Sequence, residues 1–347
     1  MADYYFNFPP QISLTPSQRA AVDEVGAISL GGGPGTGKSF VSLWRHIINH
    51  SKVEATRSQL LTYTKTLAYY LRMMSAQENE DAGNHVDTVK DWVFNHPANR
   101  DEFIIDEAQD VELSTYSKLN EYSNVLSYGA DDRQSLYSTG SSFNELRRLY
   151  PNNKLCILDE NFRNSKCILD FSRYAFTSIP ILQDEIDSCQ EDGFLPTMYI
   201  TPNNPQKQES QIISIINELQ QSVTNPDLFN IGILAPFASS SNPYGTTYTA
   251  EYYYNLLASQ FDCSFYDNMQ SFDPMKNIHI TTFKSSKGLE FDAVILIGFD
   301  SYINSSIRVN NQNDFFVAAS RAKRYLFIFS SCNFSNIPDN VINKQLL

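Results

Sequence analysis

Eight residues near the start of the chain have the types and spacing of a phosphate-binding loop. They read Gly-Gly-Pro-Gly-Thr-Gly-Lys-Ser over residues 32–39, and glycines let successive backbone N–H groups curve closely around a phosphate. Lys38 can reach the β- and γ-phosphate oxygens, and the Ser39 hydroxyl can ligate Mg²⁺. An apolar segment precedes the loop, and the helix predicted after it directs its N-terminal dipole at the anion. The sequence therefore predicts a bound nucleoside triphosphate, contacted by Gly32, Gly33, Gly35, Thr36, Gly37, Lys38 and Ser39.

A second candidate site is an acidic pair that ends an apolar run. Phe103–Ile105 leads into Asp106 and Glu107, and ligands of parallel sheets collect at the carboxyl ends of strands. Asp106 is a candidate to hold Mg²⁺, and Glu107 a candidate general base that orients and deprotonates a water molecule. Together with the upstream phosphate loop, this pair favours triphosphate hydrolysis over an ordinary solvated turn.

These residues need parallel strands to position them. Short apolar, β-rich runs alternate with helical patterns along the 347-residue chain, which predicts an α/β fold with parallel sheets. A turn-rich break at Tyr150–Asn153 predicts two domains, residues 1–150 and 151–347. The predicted strands are 27–30, 59–64, 103–106, 125–128, 155–158, 231–234, 278–283, 293–297 and 325–329.

Composition restricts the class of protein. The net charge of −13 is spread evenly, which argues against a broad basic face for nucleic acid, although a narrow groove acts through its local field. The longest apolar stretch, 293–299, is too short to cross a membrane. The five scattered cysteines include no CxxC pair. They predict a reducing, cytoplasmic location with neither a disulfide frame nor a zinc site.

Taken in order, the motifs resemble those of superfamily-1 DNA helicases of the UvrD/Rep type, over nearly the whole chain. Leu14–Arg19 is similar to the glutamine motif of that family, in which Gln18 would read adenine. Asp106–Asp110 matches the DEAQD form of the Mg²⁺ motif, and Ala130–Tyr137 resembles GDxxQSIY, whose glutamine senses the γ-phosphate. The resemblance implies two RecA-like P-loop NTPase domains in tandem, with ATP hydrolysed in the cleft between them.

The later motifs imply further nucleotide contacts. Leu158–Ser165 resembles LxxNYRS, with Phe162 stacking on adenine and Arg163 meeting the γ-phosphate. Thr282–Phe291 matches TxHxxKGLEF, which places Glu290 at the ribose, and Val317–Lys323 is similar to VAxTRA, with Arg321 as an arginine finger. The catalytic residues so implied are Lys38, Glu107, Gln134, Arg163 and Arg321.

Other segments resemble the strand-binding motifs of the family. Leu61–Lys65 and Thr88–Trp92 are similar to motifs that contact single-stranded DNA. The chain departs from the family pattern in two ways. Ser138-Thr139 stands where an Arg-Trp pair is usual. Lys90 and Lys284 replace histidines and add cations near the expected strand path. The implied nucleic-acid contacts are Tyr63, Thr64, Thr88, Trp92, Tyr137, Thr282 and Lys284.

The sequence thus predicts an ATP- and Mg²⁺-dependent single-strand translocase or helicase, running 3′→5′ on DNA as the resemblance implies. RNA stays open because it offers the same phosphates. The segments 95–102 and 238–277 are too short for the accessory domains of the family, so this is a minimal form. The alternative is a DNA-stimulated regulatory ATPase subunit of a repair or anti-phage defence complex with a nuclease, without independent unwinding. A small-molecule kinase is disfavoured, since Glu107 and the two arginines point to water as the nucleophile.

Overall fold

The computed structural model describes residues 2–52, 57–189, 191, 193–202, 204–239, 248–266, 274–302 and 311–347. The chain divides into two compact units. We call Phe6–Phe162 the N-terminal unit, and Met1–Tyr5 together with Arg163–Leu347 the C-terminal unit. Each unit is built around its own sheet of parallel strands.

The N-terminal unit contains a six-stranded sheet in the order β3-β2-β4-β5-β1-β6. Strands β2, β4 and β5 are buried at every position, as expected of parallel strands that are covered on both faces. The strands are β1 Ile28–Gly32, β2 Ser58–Thr62, β3 Val86–Thr88, β4 Glu102–Ile105, β5 Leu126–Ala130 and β6 Lys154–Leu158. The helices are α1 Pro16–Val22, α2 Lys38–Ser51, α3 Lys65–Glu78, α4 Glu80–Asn84, α5 Val89–Asn95, α6 Leu113–Leu119 and α7 Phe143–Leu149.

The C-terminal unit contains a seven-stranded sheet in the order β13-β7-β12-β11-β8-β10-β9. Its core joins apolar side chains of the central strands, such as Ile233, Ile280 and Ile295, to those of the covering helices. The strands are β7 Thr197–Ile200, β8 Ile231–Ala235, β9 Ser264–Phe265, β10 Ile278–Thr282, β11 Phe291–Leu296, β12 Ala322–Ser330 and β13 Asn343–Leu346. The helices are α8 Lys166–Ala175, α9 Gln183–Asp187, α10 Pro205–Ser222, α11 Ala250–Leu257 and α12 Gln312–Ala319.

The predicted α/β class is confirmed, since two sheets of parallel strands follow one another along the chain. Each predicted strand overlaps an observed one. The strands that the sequence did not predict are short or poor in apolar residues. One of them, β13, reads Asn-Lys-Gln-Leu.

The boundary between the units lies later than the predicted break at 150/151. After the turn at Tyr150–Asn153 the chain returns to the first sheet, where β6 pairs with β1 from Ile28↔Lys154 to Gly32↔Leu158. The first unit therefore extends through Phe162. The chain start joins the other unit, since Tyr4 N donates to Met275 O at 2.6 Å.

None of the helices in the described part of the chain has the length and apolar character that a membrane span requires.

Candidate nucleotide and nucleic-acid sites

The phosphate loop connects the end of β1 to the start of α2. Gly35 (φ +74°) and Gly37 (φ +88°) have left-handed backbone conformations, which glycine adopts without strain. A Cβ atom on Gly37 would also lie only 2.5 Å from Gln18 Nε2. Thr36 Oγ1 donates to Gly33 O at 2.9 Å and closes the loop on itself. The glycine spacing read from the sequence is thus required by the backbone path.

Two side chains lie directly against this loop. Lys38 Nζ donates to the carbonyl oxygens of Gly32 and Gly33, both at 2.8 Å. Gln18 forms a capping box with Thr15 at the start of α1, and its Nε2 donates to Thr36 O at 3.0 Å. Both ends of the Gln18 amide are therefore fixed, which places the predicted adenine reader at the phosphate loop.

The two predicted Mg²⁺ ligands lie together. Ser39, at the start of α2, donates from its hydroxyl to Asp106 Oδ2 at 2.8 Å. Asp106 follows β4 directly and is buried, with its backbone N–H donating to Leu61 O at 2.8 Å. A hydroxyl and a carboxylate are oxygen donors of the kind that Mg²⁺ prefers. The residues present therefore fit a magnesium ion at the carboxyl end of the sheet.

Glu107, the predicted general base, has an unusual backbone conformation. Among the described residues it is the one non-glycine residue with positive φ (+55°). A left-handed conformation costs a non-glycine residue roughly 1–3 kcal/mol, and such strain concentrates at functional sites. Its side chain is buried and accepts a hydrogen bond from Gln109 Nε2 at 2.6 Å. The fold therefore holds this carboxylate in a defined position.

A continuous chain of hydrogen bonds links Glu107 to Gln134. Gln109 Oε1 accepts from the backbone N–H of Asp131 at 3.2 Å, and Asp131 Oδ2 accepts from Gln134 Nε2 at 2.9 Å. These hydrogen bonds connect the end of β4 to the segment after β5. They also connect Glu107, the predicted catalytic base, to Gln134, the predicted γ-phosphate sensor. The sequence interpretation missed Gln109 and Asp131 as site residues, although both lie inside the motifs that it quoted.

In the C-terminal unit, Arg163 and Glu290 form a buried ion pair. Arg163 Nε donates to Glu290 Oε1 at 3.0 Å, and Lys323 Nζ lies 3.1 Å from Glu290 Oε2. Burial alone would raise the pKa of Glu290, but Lys323 and Arg163 outweigh it and lower the pKa to about 2. Tyr4 donates from its hydroxyl to the backbone carbonyl of Glu290. Glu290 is thus an ionised carboxylate whose two oxygens both face cations; Lys323 was not predicted from the sequence.

Arg321 lies in the interior of the C-terminal unit. It is 0% exposed, and its guanidinium donates to Val317 O at 2.9 Å and to Ser320 Oγ at 3.2 Å. Asn164 Nδ2 donates to the carbonyl oxygens of Ser320 (3.0 Å) and Ala322 (2.7 Å), which fixes this segment to the one that carries Arg163. Contact of Arg321 with a phosphate would require the guanidinium to leave these partners.

Phe162, the predicted adenine-stacking residue, lies beside the phosphate loop. Its backbone N–H donates to Gly35 O at 2.9 Å, and 43% of the residue is exposed. An exposed aromatic ring offers a face on which a base can stack. Within the N-terminal unit, Phe162 and Gln18 are therefore both attached to the loop.

Two of the predicted nucleic-acid residues form an aromatic pair. The rings of Tyr63 and Tyr137 lie 4.5 Å apart at an angle of 42°, and 37% of Tyr63 is exposed. Partial burial raises the pKa of Tyr63, with further contributions from Asp110 and Glu112. The exposed part of this ring offers a face on which a base can stack.

The predicted threonines act as helix caps or bond within their own turn. Thr64 accepts from Leu67 N at 3.2 Å at the start of α3, and Thr88 accepts from Asp91 N at 3.0 Å at the start of α5. Thr282, which ends β10, accepts from Ser285 N at 3.1 Å. Lys284 is half-buried in the turn that follows.

Trp92 lies in the core of the N-terminal unit. It is 1% exposed, and its ring packs edge-on against Phe103 at 4.8 Å and Tyr122 at 5.5 Å. A ring enclosed on these sides has no face for a base, so in this structure Trp92 supports the sheet that positions Asp106 and does not form a binding surface.

Comparison with known proteins gives one family match. Residues 255–333 match the UvrD-like helicase C-terminal domain, a segment that includes Thr282, Lys284, Glu290 and Arg321. The chain is also similar to the C-terminal domain of a possible DNA helicase from Lactobacillus plantarum WCFS1. Sequence identity is 17%, 53% of this chain and 98% of that chain are covered, and the TM-score is 0.38. A search of curated proteins gave no match.

Proposed function

We propose, on the premise that this chain is a superfamily-1 helicase of the UvrD/Rep type, that it hydrolyses ATP to move along single-stranded DNA. The match over residues 255–333 confirms the resemblance first read from the motifs. ATP hydrolysis, Mg²⁺ dependence and 3′→5′ movement are our proposals, and RNA is not excluded as the strand.

The single observation that carries the proposal is the constellation at the carboxyl end of the N-terminal sheet. Lys38 lies in the phosphate loop, Ser39 is bonded to Asp106, and Glu107 is held by Gln109. These groups come from two separate segments of the chain, and the parallel sheet gathers them at the edge where ligands bind.

Each residue has a chemical task in this proposal. Lys38, paired here with neutral carbonyl oxygens, would gain stronger, charge-assisted hydrogen bonds with phosphate oxygens. Ser39 and Asp106 would hold Mg²⁺, which when bound neutralises charge on the β- and γ-phosphate oxygens. Glu107 would accept a proton from the attacking water. Gln109 keeps the Glu107 carboxylate in place, and Gln134 would report the γ-phosphate.

The family resemblance supplies the remaining nucleotide contacts. Phe162 would stack on adenine and Gln18 would read its edge, since both lie at the loop. Arg163 and Arg321 would neutralise charge that develops on the γ-phosphate, because a guanidinium stays charged and can pair with two oxygens. Glu290 would contact the ribose.

Strand binding is proposed for the aromatic pair Tyr63–Tyr137, where stacking on one base is worth about 1–3 kcal/mol. Lys284 and Lys90 would add local attraction for phosphates to an otherwise acidic protein. Burial of Trp92 removes one predicted stacking ring, and Ser138-Thr139 lacks the Arg-Trp pair that is usual in the family. Binding of the strand would therefore depend heavily on the tyrosine pair.

A second candidate function is a DNA-stimulated regulatory ATPase subunit that acts with a nuclease in DNA repair or anti-phage defence. One observation favours it: α5 ends at Asn95 and β4 begins at Glu102, so no accessory domain is inserted in the N-terminal unit at this point. Accessory domains touch duplex DNA and regulate strand separation in full-length relatives. A core without them would turn over ATP on DNA and depend on a partner for unwinding.

Strand displacement on tailed duplexes tests the proposal. The purified chain with ATP and Mg²⁺ should separate a duplex that carries a 3′ single-stranded tail and leave the 5′-tailed duplex intact, and Lys38→Ala should remove the activity. DNA-stimulated turnover without displacement, together with a stoichiometric nuclease partner in the native host, would favour the second candidate. Absence of phosphate release with and without DNA would contradict both.

A further inference from the structure

The end of α2 far from the phosphate loop carries a cluster of three histidines and an aspartate. His46 and His50 are one helical turn apart on α2, and Asp81 and His85 are one turn apart on α4 and just after it. The His50 ring centroid lies 4.7 Å from that of His46 and 4.8 Å from that of His85. In the described part of the chain, one group of three or more His, Cys, Asp or Glu residues has its potential metal-ligating atoms close together. It consists of His50, Asp81 and His85, and these atoms all lie within 4.8 Å of one another.

The hydrogen bonds of His50 fix where its proton lies. Its Nε2 is 3.0 Å from the backbone oxygen of Ser58, and a carbonyl oxygen only accepts, so Nε2 carries the hydrogen. Nδ1 of the neutral ring then presents a lone pair, and it lies 2.6 Å from Asp81 Oδ2. Two acceptor atoms this close require a shared proton or a metal ion between them.

The surroundings match those of a metal-ligating histidine. Such a histidine usually donates its other ring N–H to a backbone carbonyl or a carboxylate, which orients the ring, and Ser58 O serves this purpose for His50. His85 is held similarly, with Nδ1 2.8 Å from the backbone oxygen of Asp81. His46 lies on the buried side of the cluster, and its ring nitrogens form hydrogen bonds with Ser58 Oγ and Ala82 O, both at 2.9 Å.

One side of the cluster is buried, and the other side faces solvent. The His50 side chain is 2% exposed, whereas the side chains of His85 and Asp81 are 27% and 64% exposed. An ion could enter from the solvent side, and water could complete its coordination. Donor atoms that share a Zn²⁺ ion at about 2.0–2.2 Å lie about 3.3 Å apart in a tetrahedron. A small rotation of the exposed His85 and Asp81 side chains therefore brings the three donors to ligating distances.

We infer that His50, Asp81 and His85 bind a divalent transition-metal ion, best matched by Zn²⁺, that ties the end of α2 to α4. Two imidazoles and one carboxylate suit zinc and its neighbours, whereas Mg²⁺ and Ca²⁺ prefer oxygen ligands. The inference does not rest on the proposed function, and the site is separate from Ser39 and Asp106. The sequence prediction of no zinc site came from cysteine spacing. The useful signal was the repeated one-turn spacing in His46–His50 and Asp81–His85.

Metal titration of the full chain tests the inference. After removal of metals with a chelator, we expect calorimetry to show one Zn²⁺ site, Zn²⁺ to raise the unfolding temperature, and Co²⁺ to give the visible bands of a low-coordinate site. Asp81→Asn and His85→Ala should each weaken Zn²⁺ binding at least about ten-fold. Both positions are partly exposed, so metal-stripped circular dichroism should confirm that the variants fold. His96→Ala, at an exposed position after α5, is the matched control and should bind like the wild type.

Two outcomes would overturn the inference. Stoichiometric binding that is unchanged in both Asp81→Asn and His85→Ala would place the ion elsewhere, for example at a cysteine. No saturable binding of either Zn²⁺ or Co²⁺ to the folded wild-type chain would leave a shared proton as the link between His50 and Asp81.

Discussion

At the scale of single residues, the chemistry depends on how Glu107 is held. Its left-handed backbone follows immediately after Asp106, and the two adjacent carboxylates have different partners. Asp106 is bonded to Ser39, whereas Glu107 is bonded to Gln109. In the proposed function, the first carboxylate would hold the metal and the second would activate water.

The variant Glu107→Gln tests this assignment. The amide keeps the shape of the side chain and cannot accept a proton, so kcat for ATP should fall by about 10²–10⁴-fold, while binding of a fluorescent ATP analogue is retained. Glu112→Gln changes a nearby exposed carboxylate and should leave kcat unchanged. Equal kcat values for Glu107→Gln and the wild type would exclude Glu107 as the base.

The sequence was most informative about residues whose type is dictated locally. Gly37 is required by its positive φ and by the nearness of Gln18, so the loop could be read without a structure. Trp92 and Arg321 were predicted to face ligands, and both are buried. Whether such a side chain points inward is decided by distant packing partners, which motif order does not report.

At the scale of elements, a buried polar network supports the helix that follows the phosphate loop. Arg45 on α2 donates to Glu102 Oε1 on β4 at 2.7 Å, and Asn49 and Ser127 bond to the same carboxylate at 2.9 Å and 2.5 Å. Both charged side chains are about 5% exposed. The network ties α2 to β4 and β5, and so fixes the elements that carry Lys38 and Asp106.

Glu102→Gln should therefore destabilise the N-terminal unit by about 3–5 kcal/mol, because it leaves Arg45 buried without a counter-charge. Both tryptophans, Trp44 and Trp92, lie in this unit, so urea unfolding followed by tryptophan fluorescence measures the effect. The contrast is Lys166→Ala, which removes the exposed pair with Glu191 and should leave the free energy of unfolding, followed by circular dichroism, nearly unchanged. Similar losses in the two variants would contradict a supporting role for the network.

Strand β10 carries a buried histidine that makes stability depend on pH. His279 is 0% exposed, its Nδ1 lies 2.9 Å from Ser264 Oγ, and burial lowers its pKa from 6.5 to about 3. At pH values between about 3 and 6.5, His279 binds a proton in the unfolded chain and does not bind one in the folded chain. The contribution of the neutral His279 to the free energy of unfolding is therefore complete above about pH 6.5. It is lost as the pH falls toward about 3.

The expected slope is about 1.4 kcal/mol of unfolding free energy per pH unit within that window. His279→Leu should make the pH dependence shallower by that amount, measured by urea unfolding with circular dichroism at several pH values. A slope that matches the wild type would show that the imidazole is protonated in the folded state.

At the scale of the whole molecule, the chain forms two units, each with its own parallel sheet and core. The alternation of strands and helices predicted this architecture. The boundary was misplaced because the turn at Tyr150–Asn153 marks the last crossover within the first sheet and not the end of a domain. Local turn chemistry signals a change of direction, and only strand pairing shows to which sheet the chain returns.

The central claim is that ATP hydrolysis is coupled to a single strand of nucleic acid. In the N-terminal unit, Asp110 accepts from the backbone N–H of Leu136 at 3.2 Å, which joins the DEAQD segment to the segment that ends at Tyr137. Tyr137 pairs with Tyr63. Glu107 and Gln134, two of the proposed catalytic residues, and the proposed strand-binding rings thus lie in segments of the N-terminal unit that are joined by hydrogen bonds, through which a bound strand could influence catalysis.

The most direct test is the rate of phosphate release from ATP with and without a short single-stranded DNA. We predict a several-fold higher rate with DNA. Lys38→Ala should have no turnover in either condition, and Tyr137→Ala should keep the basal rate with reduced stimulation. A wild-type rate that is the same with and without single-stranded DNA or RNA would contradict the claim that this protein is a nucleic-acid motor.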